Sequence, residues 1–321
     1  MSTRALVLGS IFGLLACGSA AEPLGTSAEE IKGGEPAPDM NAVVAVVNFA
    51  GGQCSGTLIA PRLVLTARHC VADTAGEDPS VTCGQTPWVA PDSAGALFVV
   101  PLPEITEDPS DYLAVSALRL SDPPDSDLCG TDVALLVLEE PLVGITPLPM
   151  MLGRPPETGE TYTAIGYGMD EALPDAPSGI RKQLGDREVV CVGSECGVPD
   201  IRDNEWVGTE GNCRGDSGGP ALSDSYVIGV LSRGLEGCTQ PVFGGLDTRA
   251  DWLREQAIAV TGSEGPPAWA CPEGSLTCSP SRQDEEESGC TITAPTHRST
   301  LPWLAPALAL LAASARRRRR H

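Results

Sequence analysis

Three residues far apart in the chain carry side chains that together can perform nucleophilic catalysis: His69, Asp132 and Ser217. Ser217 lies in the segment 215–220, Gly-Asp-Ser-Gly-Gly-Pro, whose residue types favour a tight turn. A serine hydroxyl is a weak nucleophile at neutral pH and needs a neighbouring base, and the anion it forms on a carbonyl needs fixed donors. The turn therefore predicts a nucleophile, Ser217, and two oxyanion donors, the backbone N–H groups of Gly215 and Ser217.

The base for this serine is predicted from the scarcity of histidine. The chain has three histidines, and His297 and His321 lie in a C-terminal region that lacks the pattern of a folded domain. His69 is therefore the imidazole expected to take the serine proton. Asp132 opens the apolar run 133–138, and a carboxylate at that point is expected to hold the imidazole in one tautomer.

The elements that must position these residues are predicted to be short β-strands. The 321 residues include 36 glycines and 29 prolines, so long helices are not expected over most of the chain. His69 follows two short apolar runs around Pro61, where a strand leads into a loop. One helix is predicted at 248–260, from apolar residues at helical spacing. Further apolar runs bounded by turn residues predict strands at 42–49, 97–100, 133–138, 162–165 and 227–231.

The order and surroundings of His69, Asp132 and Ser217 resemble the trypsin/chymotrypsin family of serine endopeptidases, and the resemblance spans residues 31–258. It implies an all-β, chymotrypsin-like fold of two six-stranded antiparallel β-barrels with a C-terminal helix, the barrels meeting near 145–155. It also implies peptide-bond hydrolysis through an acyl-enzyme, with protein or peptide substrates and without a cofactor or a metal.

The twelve cysteines indicate an oxidising compartment. The family resemblance implies disulfides between Cys54 and Cys70, beside the histidine, and between Cys213 and Cys238, beside the substrate pocket. Metal binding is the alternative use of cysteine, but paired ligand spacing with histidine is lacking. The other expected pairs are Cys83 with Cys129, Cys191 with Cys196, and Cys271 with Cys278.

The resemblance also assigns a substrate pocket and a strand edge. The segment 232–234 is expected to pair with the substrate backbone, although an aromatic residue is more usual where Arg233 stands. Gly211 is expected at the floor of the pocket, where trypsin-like members carry an aspartate. We therefore expect an apolar or neutral side chain before the scissile bond rather than a strict preference for Arg or Lys. A basic preference is the alternative, because Glu210 and Asn212 flank the floor. The residues assigned to the pocket are Gly211, Asn212, Ser232, Gly234 and Gly245.

Activation by cleavage is a further expectation from the resemblance. Residues 31–34, Ile-Lys-Gly-Gly, resemble the new amino terminus that forms when a zymogen is cut. The freed amine of Ile31 is expected to pair with Asp216 and to set up the oxyanion hole. Residues 21–30 would then be a propeptide that ends at Glu30, followed by the protease domain at 31–260.

The N-terminus predicts export. Residues 1–20 have the form of a signal peptide, because Arg4 precedes an apolar stretch at 5–16 that is too short to span a bilayer. The sequence Leu-Leu-Ala-Cys at 14–17 resembles a bacterial lipobox, which implies a lipid on Cys17. Ordinary cleavage near Ala20 is the alternative.

The C-terminus predicts a second sorting element. Residues 261–300 form a linker rich in proline, glycine and acid, followed at 301–321 by an apolar segment and five arginines. This arrangement resembles the MYXO-CTERM sorting signal of bacterial surface proteins, with processing near Cys290. The alternative is a plain short membrane anchor.

The net charge and the order of the motifs argue against two other classes of function, nucleic-acid binding and α/β-hydrolase esterase activity. The formal net charge of −22 argues against nucleic-acid binding, and export and sorting machinery are the other expected partners. The expected location is the bacterial cell surface, the outer membrane or the medium. An α/β-hydrolase esterase requires the order serine, acid, histidine, and only tail histidines follow Ser217. A catalytically silent surface binding module is the alternative, but such modules usually lack a catalytic residue, and all three are present.

Overall fold

The computed structural model describes residues 34–75, 81–123, 125–169, 179–197, 200–235, 238–261 and 265–271. All of them belong to one structural unit, Met1–Ser281. Several sequence predictions lie outside the described residues. These are the signal peptide with Cys17, the propeptide at 21–30, Ile31 at the start of the protease domain, the partner cysteine Cys278, and the tail with Cys290.

Short antiparallel strands dominate the described residues. They are, in chain order, β1 (Glu35–Pro36), β2 (Val43–Asn48), β3 (Gln53–Ala60), β4 (Leu63–Thr66), β5 (Ala72–Thr74), β6 (Trp88–Pro91), β7 (Leu97–Val100), β8 (Leu113–Leu120), β9 (Ala134–Leu138), β10 (Thr161–Gly166), β11 (Lys182–Val192), β12 (Glu205–Gly208), β13 (Pro220–Ser223), β14 (Tyr226–Leu235) and β15 (Thr239–Gly244). The strands predicted from apolar runs are all present, within a few residues of the expected bounds.

The first barrel closes in the strand order β2-β3-β4-β9-β8-β7. Its strands are rich in valine and leucine, which suit a pleated, buried surface. β4 and β9 pair with Val64 opposite Leu136, and both side chains are buried. Because His69 follows β4 and Asp132 precedes β9, this pairing brings the two residues to the same end of the barrel.

The second barrel follows the order β11-β10-β13-β14-β15-β12 and closes through the pairing of β11 with β12. The short strand β1 adds to β11 by its edge. Trp206 and Phe243 stack in its core with ring centroids 4.2 Å apart, and Tyr162 meets both edge-on. The predicted all-β fold of two six-stranded barrels is confirmed.

The helix α1 (Ala250–Thr261) follows the second barrel. It begins two residues later than predicted, because residues 247–249 form a 3₁₀ turn instead. Leu253 and Ala257 are fully buried, one turn apart, against the apolar core. No helix in the described ranges is long and apolar enough to cross a bilayer.

Four disulfides join the cysteine pairs expected within the described residues. Cys54–Cys70 ties β3 to the histidine turn, and Cys213–Cys238 ties the serine turn to the start of β15. Two other disulfides, Cys83–Cys129 and Cys191–Cys196, hold loops beside the second barrel. Such pairing suits an oxidising compartment.

Candidate active site

His69 and Asp132 contact each other at two points. His69 lies in a 3₁₀ turn (Arg68–Cys70) that directly follows β4. Its backbone N–H donates to Asp132 Oδ1 at 2.8 Å, and its ring Nδ1 lies 2.8 Å from Asp132 Oδ2. The second contact assigns the ring proton to Nδ1, so Nε2 is left as the proton acceptor.

Burial and charge act in opposite directions on this pair. Desolvation lowers the pKa of His69, but the charge of Asp132 and its hydrogen bond outweigh that effect, so the pKa is raised. Desolvation raises the pKa of Asp132, but the attraction to His69 and hydrogen bonds from His69 and Ser232 outweigh it, so the pKa is lowered. Asp132 is therefore the carboxylate of the pair, and its side chain is only 1% exposed.

Ser217 lies on a turn between β12 and β13 that is bonded into both barrels. Its carbonyl accepts the Ser55 N–H of β3 at 2.7 Å, and the Gly218 N–H donates to Leu231 O of β14 at 2.8 Å. Gly218 has φ of +82°, and a Cβ there would clash with the Ser55 carbonyl, so glycine is required. The turn thus holds Ser217 at the junction of the barrels.

Two backbone N–H groups on this turn are free to bind an anion. The Met169 N–H donates to the Arg214 carbonyl at 2.8 Å. That carbonyl and the Gly215 N–H belong to the same trans peptide and point in opposite directions, so the Gly215 N–H faces away from Met169. Within the described residues, neither the Gly215 nor the Ser217 N–H donates to another protein group. The two predicted oxyanion donors are therefore unoccupied by the protein itself.

His69 and Ser217 line one cavity of about 260 Å³ together with Gly215, Arg214 and residues of β2 and β3. Among the described residues, the Ser217 hydroxyl makes no hydrogen bond to the His69 ring. Catalytic hydrogen bonds of substrate-free enzymes are often long and tighten when substrate binds. A larger cavity of about 580 Å³ lies at the start of α1 and contains neither residue.

Asp216 is fully buried beneath the serine turn. Its carboxylate accepts the N–H groups of Gly168 and Cys213, both at 2.8 Å. Burial raises its pKa from 3.8 to about 7, against the opposing effects of these two hydrogen bonds and of the charge of Lys182. Ile31, the predicted partner of Asp216, lies outside the described residues.

The residues assigned to the substrate pocket come together only in part. Gly211 donates to the Cys238 carbonyl at 3.0 Å, and Asn212 beside it is 7% exposed. Gly234 faces β15, and a Cβ added to Gly234 would lie 3.7 Å from Pro241 Cα. The pocket residues therefore gather around the Cys213–Cys238 disulfide.

Gly245 does not join that group. It follows β15, donates to the Asn204 carbonyl at 2.8 Å and lies beside Asp247. Pro241, which is buried, lies opposite Gly234.

The contacts of two residues beside the site were not predicted from the sequence. Ser232 was assigned to the pocket, yet its hydroxyl donates to Asp132 Oδ2 at 2.6 Å. Glu205, the first residue of β12, pairs with Arg233 at 2.6 Å and is 1% exposed. An arginine where an aromatic residue is usual was the available signal, because a buried cation requires a buried acid.

Two clusters contain residue types that ligate metals: Cys54 with His69 and Cys70, and Cys83 with Asp127 and Cys129. In both clusters the cysteines are joined to each other as disulfides. Metals bind the thiolate rather than a disulfide sulfur, so these clusters are explained by their covalent pairing.

Comparison with known proteins agrees with this geometry. The profile of the Trypsin family matches residues 31–254. Hypodermin-B from Hypoderma lineatum is 30% identical over 220 residues, covering 64% of this chain and 77% of the relative. Kallikrein-2 from Homo sapiens is 29% identical over 238 residues (67% and 84%), and the thrombin-like enzyme acutin from Deinagkistrodon acutus is 26% identical over 242 residues (70% and 94%). The chain therefore belongs to the trypsin family of serine endopeptidases.

Proposed function

We propose that the chain is an exported serine endopeptidase whose catalytic residues are Ser217, His69 and Asp132. The observation that carries the assignment is the two-point contact of Asp132 with His69, at 2.8 Å each, in a cavity shared with Ser217. An aspartate that pairs with Nδ1 leaves Nε2 able to take a proton from a serine in the same cavity.

The reaction follows from these positions. Ser217 Oγ attacks the peptide carbonyl carbon while His69 Nε2 takes the hydroxyl proton, and the oxyanion binds the free N–H groups of Gly215 and Ser217. His69 then gives the proton to the leaving nitrogen, the C–N bond breaks, and an ester on Ser217 remains. Water attacks the ester with its proton passing to His69, and Ser217 recovers that proton as the acid product leaves.

The substrate before the scissile bond is proposed to carry a neutral side chain of limited size. Gly211 brings no carboxylate to the pocket floor, and Pro241 stands opposite Gly234. A buried substrate cation without a partner would cost about 2–5 kcal/mol. The edge of β14 at 232–235 is available to the substrate backbone, because β13 pairs only with its first half.

Export and activation are part of the same proposal. The disulfides require an oxidising compartment. A signal peptide, with either a lipid on Cys17 or ordinary cleavage near Ala20, would deliver the chain there. Cleavage after Glu30 would free Ile31 to pair with Asp216, and the C-terminal signal with Cys290 would retain the chain at the cell surface until it is processed.

Hydrolysis of casein by the purified chain, cut after Glu30, tests the assignment. We expect steady release of peptides from the wild type and from Ser194→Ala, a control at an exposed serine, and about 10⁶-fold less from Ser217→Ala. Hydrolysis that survives Ser217→Ala would refute the assignment of the nucleophile. A correctly folded wild type without activity would favour the silent binding module.

A further inference from the structure

A buried ion pair lies directly behind the catalytic aspartate. Arg233 of β14 donates from Nη1 to Glu205 Oε1 at 2.6 Å and from Nη2 to Glu205 Oε2 at 2.9 Å. The side chains are 14% and 1% exposed. This bidentate geometry fixes the guanidinium in one orientation, which a lysine ammonium could not achieve.

Glu205 is held from several directions. Oε1 also accepts the Gly130 N–H at 2.7 Å, and Oε2 accepts the Arg202 N–H at 2.9 Å. Gly130 is two residues before Asp132 in the chain, so Glu205 joins β12 of the second barrel to the segment that carries the aspartate. The carboxylate thus has four donors, which is what a buried acid requires.

Arg233 reaches the catalytic residues through one hydroxyl. Its Nη1 lies 3.3 Å from Ser232 Oγ, and Ser232 Oγ lies 2.6 Å from Asp132 Oδ2. A guanidinium can only donate and a carboxylate can only accept, so the Ser232 hydroxyl must accept from Arg233 and give its own proton to Asp132. The Ser232 hydroxyl therefore links the guanidinium of Arg233 to the carboxylate of Asp132, with both contacts fixed in direction.

We propose that Arg233, held by Glu205, is a positioning residue that fixes the Ser232 hydroxyl on Asp132 and thereby the orientation of the catalytic acid. The inference rests on the proposed function, because it assigns a role relative to the same catalytic residues. It also explains why a buried cation replaces the usual aromatic residue in this strand.

The charge of Arg233 acts on His69 as well. Among the described residues, the charges that shift the pKa of His69 are those of Asp132, which favours the protonated ring, and Arg233, which opposes it. The cation therefore moderates the rise in the pKa of His69 that Asp132 produces, and it keeps more of the ring in the neutral form that accepts a proton.

The described part of the loop between β5 and β6, residues 81–87, gains a structural role from this arrangement. Arg233 Nη2 donates to the Asp200 carbonyl at 2.5 Å, and the Cys83 backbone N–H lies 3.4 Å from Asp200 Oδ1. The disulfide Cys83–Cys129 anchors this contact just ahead of Gly130. The loop and its disulfide thus cover the guanidinium and limit its access to water.

The test compares variants that remove the pair, keep only its charge, or remove a similar pair elsewhere. Arg233→Met with Glu205→Leu removes both charges and leaves no buried ion unpaired. Arg233→Lys keeps the positive charge but loses the bidentate contact with Glu205. Arg154→Met with Glu160→Leu removes an ion pair of the same geometry, 2.8 Å and 3.2 Å, that contacts none of the catalytic residues among the described ones.

Two readouts follow the variants: the rate at which a fluorophosphonate labels Ser217 across pH, and the imidazole titration of His69 by NMR in a Ser217→Ala background. For the double variant at Arg233 and Glu205 we expect labelling at the optimum pH to be about tenfold slower than in the wild type. The acid limb of its pH profile and the pKa of His69 measured by NMR should both lie at higher pH than in the wild type. Arg233→Lys should label more slowly but keep the acid limb of the wild type. The double variant at Arg154 and Glu160 should match the wild type in both readouts.

A folded double variant at Arg233 and Glu205 whose labelling rate and His69 titration equal those of the wild type would overturn the inference. If that variant does not fold, wild-type labelling by Arg233→Lys would overturn it instead. A wild type that is never labelled would overturn the proposed function alone, because the NMR titration still reports whether Arg233 acts on His69.

Discussion

The Asp132 carboxylate holds His69 by both its backbone and its ring, with Oδ1 on the N–H and Oδ2 on Nδ1, each at 2.8 Å. The backbone contact fixes the turn after β4, and the ring contact fixes the tautomer. Because the two oxygens act on one residue, a change in Asp132 alters both the position and the basicity of the imidazole.

Replacing Asp132 with asparagine should lower kcat by about 10⁴-fold with little change in KM. The amide would keep its carbonyl oxygen on the His69 backbone N–H and offer its own N–H to ring Nδ1, which favours the tautomer with the proton on Nε2. Steady-state hydrolysis of a peptide ester measures the effect. Asp125→Asn, at an exposed aspartate, serves as the control and should leave kcat unchanged. An Asp132→Asn variant with near wild-type kcat would refute the role of the acid.

The pH dependence of activity follows from the raised pKa of His69. Protonated His69 cannot accept the serine proton, so activity is lost as the pH falls through the pKa of the ring. Because that pKa is raised, the acid limb of kcat/KM should lie above 6.5, the ordinary value for histidine. A pH–rate profile measures it, and a limb below the ordinary value would contradict the pairing with Asp132.

Gly215→Ala should lower kcat by roughly 10²-fold or more while the protein stays folded. Gly215 has φ of +96°, and a Cβ would lie 2.9 Å from Gly168 Cα, so the peptide that carries the oxyanion donor must shift. Gly159→Ala is the matched control, since its φ is +86° and its Cβ would meet no atom within 4 Å. Equal activity of the two variants would count against an oxyanion role for the Gly215 N–H.

Cleavage after Glu30 should change how stability depends on pH. The pKa of Asp216 in the folded chain is about 7, above its ordinary value of 3.8. In the uncut chain this carboxyl therefore stabilises the fold at low pH, and that contribution is lost as the pH rises through about 7. In the cut chain the amine of Ile31 would stabilise the ionised carboxylate and oppose the loss. Urea unfolding at about pH 5 and about pH 8 measures the difference.

The control for that experiment is Asp216→Asn in the uncut chain, which removes the titrating group. Its free energy of unfolding should vary less between the two pH values than that of the uncut wild type. Identical pH dependence in the cut and uncut wild type would argue against the pairing of Ile31 with Asp216.

A peptide library should show cleavage after small or medium neutral residues. We expect kcat/KM after Arg or Lys to be at least about 30-fold lower, because about 2–5 kcal/mol is lost when a buried cation lacks a partner. Pro241→Gly should improve cleavage after Phe relative to Ala by removing the wall opposite Gly234. A clear preference for Arg or Lys in the wild type would exclude this view of the pocket.

The local pattern of the sequence predicted much of this fold. Apolar runs such as 133–138 could be recognised as strands because every residue of β9 is buried. The barrels themselves came from the family resemblance, since pairing between strands far apart in the chain, such as β4 and β9, leaves no periodic signal in either. The helix was placed correctly at its C-terminal end and began late, because residues 247–249 turn as a 3₁₀ helix.

The site was harder to predict where it depends on contacts between strands. His69 was predicted from the scarcity of histidine and Ser217 from the residue types around it. The residue that lies opposite Gly234, in contrast, depends on the register of β14 with β15. That register contains irregularities near Arg233 and Leu235, so the residue opposite Gly234 could not be found by counting along the sequence. Glu205 was missed because a single acid at a strand start has many ordinary uses.

Ser217 is proposed to act as a nucleophile that His69 activates. Mass mapping of the fluorophosphonate adduct on the chain cut after Glu30 tests this role. We predict one adduct, on the peptide that carries Ser217, and its loss in His69→Gln. An adduct on another serine, or one on Ser217 that forms equally fast in His69→Gln, would contradict the claim.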